Sequence, residues 1–158
     1  MPRSSRAGHT PNDVDTQVSF GSAGLRSTLR GFPAPHLTLA YSYTVDPVRR
    51  LVVSRASGVF TPDDVVAARQ HAVRDPAFDP SFDQIIDLTD ATELRFDYDA
   101  MLAVAASSLS QTVVRRAIVA RTAEQHGLAC VFQVASEQVG QRIDIFKTFD
   151  EADEWLRR

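Results

Sequence analysis

Four aspartates crowd one short stretch of this chain, Asp87, Asp90, Asp97 and Asp99, with Glu93 among them. Brought together on a loop, they could act as paired carboxylates in acid–base chemistry or as oxygen ligands for a hard cation. Their spacing matches neither an EF-hand loop nor a haloacid-dehalogenase motif. The plainer reading is helix capping plus a solvated acidic rim, with a weak Mg²⁺ site as its rival.

Other chemistry-bearing residues are dispersed. His9, His36, His71 and His126 form no pair at ligand spacing, and Cys130 reads as small core filler beside Leu128 and Val131. A single cysteine rules out an internal disulfide and a cysteine-based metal cluster. There is no Gly-rich phosphate loop, no G-x-S-x-G and no H-E-x-x-H, so an enzyme has little support and no cofactor is expected. Arg115, Arg116 and Arg121 bracket an apolar run. Arg121, at a helix start, could hold an anion jointly with backbone N–H groups, or form an ion pair with nearby acids.

Composition narrows the class. A hydrophobic fraction of 44% and a charged fraction of 23% are ordinary for a soluble globular domain. No apolar run approaches a membrane span, no secretory h-region is visible, and a reducing cytoplasm is the simplest location. The net charge of −3 is uneven: four arginines against two aspartates give residues 1–36 a net +2, so the remainder carries −5. That argues against a nucleic-acid surface.

These residues must be positioned by regular elements. Residues 1–36, rich in Ser, Gly, Pro and Arg, read as a disordered or weakly ordered tail, and residues 37–158 as one domain. Leu37–Val45 and Arg50–Ala56 form a hairpin about Asp46-Pro47, with Gly58 ending or bulging the second strand. Thr61-Pro62-Asp63-Asp64 starts a helix running to about Arg74. Phe78 and Phe82 plug the Pro-containing connection that follows. Ile85-Ile86-Asp87-Leu88 is a central strand, the acidic segment a loop, and Asp97 to about Ser110 a helix. Ala117–Ala120 is a buried strand, Thr122 caps a third helix to about Glu137, and Ile143–Phe146 is an edge strand. Thr148 with Glu151 makes a capping box for the last helix. The order β-β-α-β-α-β-α-β-α implies an α/β fold, mostly parallel, with an antiparallel N-terminal hairpin and helices packed on the sheet.

Several phrases are similar to a known group: Gly58-Val-Phe-Thr-Pro-Asp-Asp64, Asp75-Pro76 with Phe78-Asp79, Ile86-Asp87-Leu88, Ala117-Ile-Val-Ala120 and Phe149-Asp-Glu-Ala-Asp-Glu-Trp-Leu156. On these the chain resembles the STAS superfamily of anti-anti-sigma-like domains, most closely its SpoIIAA-like, or STAS/SEC14, branch, over about residues 40–158. The resemblance implies a small regulatory module that binds proteins or small ligands. In phospho-regulated members the loop after the central strand leads into an Asp-Ser-Ser-Gly-Leu-like helix start, whose second serine a partner kinase modifies. The matching run here is Asp97-Tyr98-Asp99-Ala100-Met101. Tyr98 and Asp99 replace both serines, so switching through that phosphoserine is not expected.

The resulting expectation is a non-enzymatic regulatory module. A protein partner docks on Thr89–Met101, with Asp87, Thr89, Asp90, Asp97, Tyr98, Asp99, Met101 and Arg121 as candidate contacts. A homo-oligomer is compatible with this reading. The alternative is a binder of a lipid-like or apolar small molecule, lined by Phe78, Phe82, Phe96, Met101 and Phe132. The third reading is a metal-assisted hydrolase using the aspartates. A closed apolar cavity favours the second, convergent carboxylates beside a pocket favour the third, and a flat exposed loop favours the first.

Overall fold

A computed structural model of the chain describes residues 36–37, 40–107 and 114–158. The tail up to residue 35 and the expected last turn of the second helix, Ser108 to Ser110, lie outside the described residues. The strands are β1 (His36–Leu37), β2 (Tyr41–Asp46), β3 (Leu51–Phe60), β4 (Asp83–Leu94), β5 (Arg115–Val119) and β6 (Arg142–Phe146). Helices α1 (Pro62–Ala72), α2 (Tyr98–Ala106), α3 (Ala123–Glu137) and α4 (Phe149–Arg157) follow β3, β4, β5 and β6 in turn.

The six strands lie side by side in chain order. β1, β2 and β3 pair antiparallel, while β3 to β6 are parallel. The chain is therefore α/β, with an antiparallel edge on a mostly parallel sheet, as the alternation of strands and helices implies. One expected strand is two: Leu37–Val45 breaks near Ala40, and β1 folds back on β2, pairing His36 with Tyr43. No Gly or Asn marks this reversal, so local sequence carries no turn signal for it.

The acidic segment is also not a loop at first. β4 continues through Thr89 and Glu93 to Leu94, and its pairing with β3 slips twice, at Arg55/Ser57 and Gly58/Val59. Each slip places one extra residue in β4, a β-bulge that reverses the in–out phase. The inward positions Ile86, Leu88, Ala91 and Leu94 are accordingly spaced two, three and three apart. That spacing hides the strand from a period-two reading. Gly58 meets the bulge with φ +63, a conformation that side-chain-bearing residues rarely adopt.

Helix starts follow their caps. Thr61, Thr122 and Thr148 accept from the backbone N–H of Asp64, Gln125 and Glu151, whose side chains reach back in capping boxes. Alternation in the strands builds two faces. Tyr43, Ser54, Ile86, Ile118 and Ile145 form one cross-strand row, and Val45, Val52, Gln84, Arg116 and Ile143 the row beside it. The apolar part of this face packs against α2 and α3 through Met101, Val104, Ala129 and Phe132. On the opposite face Leu51, Ile85, Ala117 and Val119 meet α4 at Ala152 and Leu156.

Candidate functional site

Between the first face and helices α1 to α3 the core does not close. A partly open cavity of about 120 Å³ remains there. One end is aromatic: Tyr41 stacks on Phe60 with ring centres 5.2 Å apart, and Phe96 lies against Phe60 at 5.0 Å. Leu88, Met101, Leu128 and Phe132 also line the cavity. The other end carries Gln84, Arg116, Ser54 and Tyr43 from the strands and Arg69 from α1. The lining is thus mostly apolar, with Gln84 and Arg116 toward the N-terminal ends of the parallel strands.

Arg116 is the unusual member, at 4% exposure. It stands in phase with Ile118 and Ala120, on the face that holds the cavity, whereas its neighbour Arg115 points to the other side. Arg115 bonds Asp83 at 2.6 Å and the Leu156 carbonyl at 2.8 Å, joining β5 to β4 and α4. The Arg116 Nε–H donates to Gln84 Oε1 at 3.1 Å. Burial, and then the like charge of Arg69, lower the Arg116 guanidinium to about 10. Arg69 donates to the Val104 carbonyl at 2.9 Å and to Ser107, thereby capping the C-terminal end of α2. Burial lowers Arg69 as well, and the Tyr41 phenol is raised by burial despite its hydrogen bond with Ser54.

The candidate residues read from the sequence do not converge. Asp87 is buried, accepts from Arg55 Nε at 3.2 Å, and takes the Thr89 N–H and hydroxyl at 3.0 and 2.7 Å. Both are thereby engaged at the first bulge. Asp90 is exposed on β4. Asp97 caps α2 by accepting from the Ala100 N–H at 2.7 Å, and Tyr98 and Asp99 project from the first turn, Tyr98 at 65% exposure. Met101, three residues on, is buried in the cavity wall. The Arg121 side chain is exposed at the start of α3, where Gln125 Oε1 accepts the N–H groups of both Arg121 and Thr122. Those donors are therefore occupied by the protein itself.

Among the described residues, no three of His, Cys, Asp and Glu come together so as to hold a metal ion. The carboxylates expected to gather are spread between a buried ion pair, a helix cap and exposed positions. Of the expected apolar lining, Phe96, Met101 and Phe132 do line the cavity. Phe78 and Phe82 instead pack with Tyr43, Val45, Val52 and Ala72 in a separate cluster. Sequence reasoning missed Arg116, Arg69 and Gln84. The available signal was Arg116 itself, an arginine in phase with the inward residues of a buried strand.

No protein-family model matches the chain, and a search of characterised proteins gives no match. Among solved structures the chain is similar to an uncharacterised protein of the DUF3478 family from Shewanella loihica, described as having a SpoIIAA-like fold. The two are 18% identical with a TM-score of 0.46, covering 84% of this chain and 99% of that one. Among the described residues no helix is long and apolar enough to cross a membrane.

Proposed function

We propose that the protein is a non-enzymatic regulatory module that binds a small, largely apolar molecule between its sheet and helices α1 to α3. The observation that supports this most directly is the 120 Å³ cavity, which separates a ligand-binding reading from a purely surface-docking one. Its amphipathic lining, mostly apolar with a few convergent polar groups, is the pattern of small-molecule sites.

Docking of a protein partner at the start of α2 is a second reading, favoured by the exposed Tyr98 and Asp99 beside the capping Asp97. The two readings are compatible, because Met101 on the same turn lines the cavity. A bound molecule pressing on Met101 would bear on the turn that presents Tyr98.

Native mass spectrometry of the full chain purified from its own host, before and after denaturation, tests the first reading. The expected result is a small organic adduct lost on denaturation. A protein without adduct that also fails to take up a neutral probe such as toluene overturns it.

A further inference from the structure

We propose that Arg69 is a strap across the mouth of the cavity between α1 and α2, and that its release sets how fast a small apolar molecule enters and leaves. This rests on the reading of the cavity as a ligand site, and adds the route of entry and the residue that controls it.

The position of Arg69 carries it. Along α1, Val65, Ala68 and Ala72 line the cavity, while Val66, Gln70 and Val73 line a shallow groove on the outer side of the helix. Among the described residues Arg69 is the one that lines both. Helical spacing explains why. Arg69 stands four residues from Val65 and three from Ala72 on one side, and three from Val66 and four from Val73 on the other. Its side chain therefore partitions the two spaces, and a change of rotamer carries the guanidinium from one to the other.

The bonds that hold the strap are replaceable. Arg69 donates to the Val104 carbonyl at 2.9 Å, to the Ser107 carbonyl at 3.2 Å and to the Ser107 hydroxyl. A helix leaves its last carbonyls without intrahelical donors, so water takes them when the strap lifts. Two effects oppose the closed position. Burial lowers the Arg69 guanidinium, and its charge in turn helps to lower that of Arg116. In the open position the guanidinium is in water, and its methylene stem lies along Val66 and Val73, which are 47% and 64% exposed. The closed state thus gains hydrogen bonds and the open state gains solvation, which makes a gate of two balanced positions rather than a fixed wall. Met101, Val104, Ala129 and Phe132 of α2 and α3 share one apolar cluster with the sheet, so the seam between α1 and α2 is where a polar side chain stands in the way.

The test follows toluene exchange in the full-length protein through the Met101 methyl resonance, with NMR line shapes giving the rates and calorimetry the affinity. Arg69→Met keeps an unbranched side chain and removes its bonds to α2. The expected result is that entry and exit rates both rise at least about tenfold, while the affinity stays within about threefold of wild type. A merely structural role would not accelerate both rates together. Ser107→Ala removes one of the bonds at an exposed position and should accelerate both rates by a smaller factor, about two- to fivefold. It reads the gate even where Arg69→Met does not fold. Unchanged rates in Arg69→Met, or in Ser107→Ala where Arg69→Met does not fold, overturn the proposal. The ligand-site reading then stands, because toluene binds and enters elsewhere. Weaker affinity with unchanged entry also overturns it, since Arg69 is then part of the wall alone. If toluene does not move Met101 in the wild-type protein, both readings fail.

Discussion

At the scale of single residues, Arg116 makes the sharpest statement. Burial and the like charge of Arg69 push its folded-state pKa down to about 10, so the unfolded chain holds the proton more tightly than the folded protein does. The cost of burying its charge is therefore fully present at neutral pH. It is relieved as pH rises through about 10, where the folded protein releases its proton first. Arg116→Met removes that cost together with the hydrogen bond to Gln84, so its net effect at pH 7 should stay within about 2 kcal/mol, shifting toward destabilisation above pH 10. Urea denaturation at both pH values measures it, and a loss of several kcal/mol at pH 7 would make Arg116 a structural residue. Asp97 and Asp99 differ in the same quantitative sense. Asp97→Ala removes the α2 N-cap and should cost about 1 kcal/mol, while exposed Asp99→Ala stays within about 0.5 kcal/mol. With Asp97-Tyr98-Asp99 in place of a serine pair, incubation with a serine kinase and ATP should leave this turn unlabelled; a phosphopeptide spanning it would contradict that.

At the scale of elements, the decisive contacts are those that tie a helix to the sheet. Gln125 closes the capping box of α3 and also donates from Nε2 to the Ala91 carbonyl at 3.2 Å, beside the first bulge of β4. Gln125→Ala should therefore cost more than the roughly 1 kcal/mol of a cap alone, reaching about 2 to 3 kcal/mol because a buried carbonyl loses its partner. Thr148→Ala, at the exposed start of α4, should cost only about 1 kcal/mol. Parallel thermal denaturation of the two variants checks the ordering. The bulges of β4 matter for the same reason. By returning Ala91 and Leu94 to the inner face, they carry the strand up to Phe96 and so bring the third ring of the aromatic end into place.

At the scale of the whole molecule, the two faces of the sheet have different tasks. α4 covers one face with a tight apolar contact, and its Asp153 pairs with Arg49 in the β2–β3 turn and with Arg157. Leu156→Ala should cost about 2 to 4 kcal/mol by opening that contact, with little effect on a probe bound on the other side. The opposite face keeps the cavity, so stabilisation should come from outside the chain. A ligand present at 100 times its Kd raises the unfolding free energy by about 2.7 kcal/mol. A melting temperature that rises on addition of a neutral apolar probe such as toluene is the corresponding measurement.

Much of this protein is legible without coordinates. The caps at Thr61, Thr122 and Thr148, the Asp97 helix start and the alternation of strands with helices are local patterns, each dictated by backbone groups that must find partners within a few residues. They suffice to name an α/β sheet with an antiparallel edge; of the five lining candidates that the SEC14-like resemblance suggested, Phe96, Met101 and Phe132 line the cavity and Phe78 and Phe82 do not. What tertiary structure alone decided is which local choices meet. The bulges that make the acidic segment a strand depend on the register with β3, and the reversal before β2 is set by edge pairing. The cavity exists because side chains from β2 to β5 and from α1 to α3 fail to fill a shared space, a volume that no single segment encodes. The aspartates that stand out in the sequence proved to be spent on a cap, a bulge and exposed positions. The group that stands out in the fold is an arginine that looked like a strand's flank until alternation turned it inward.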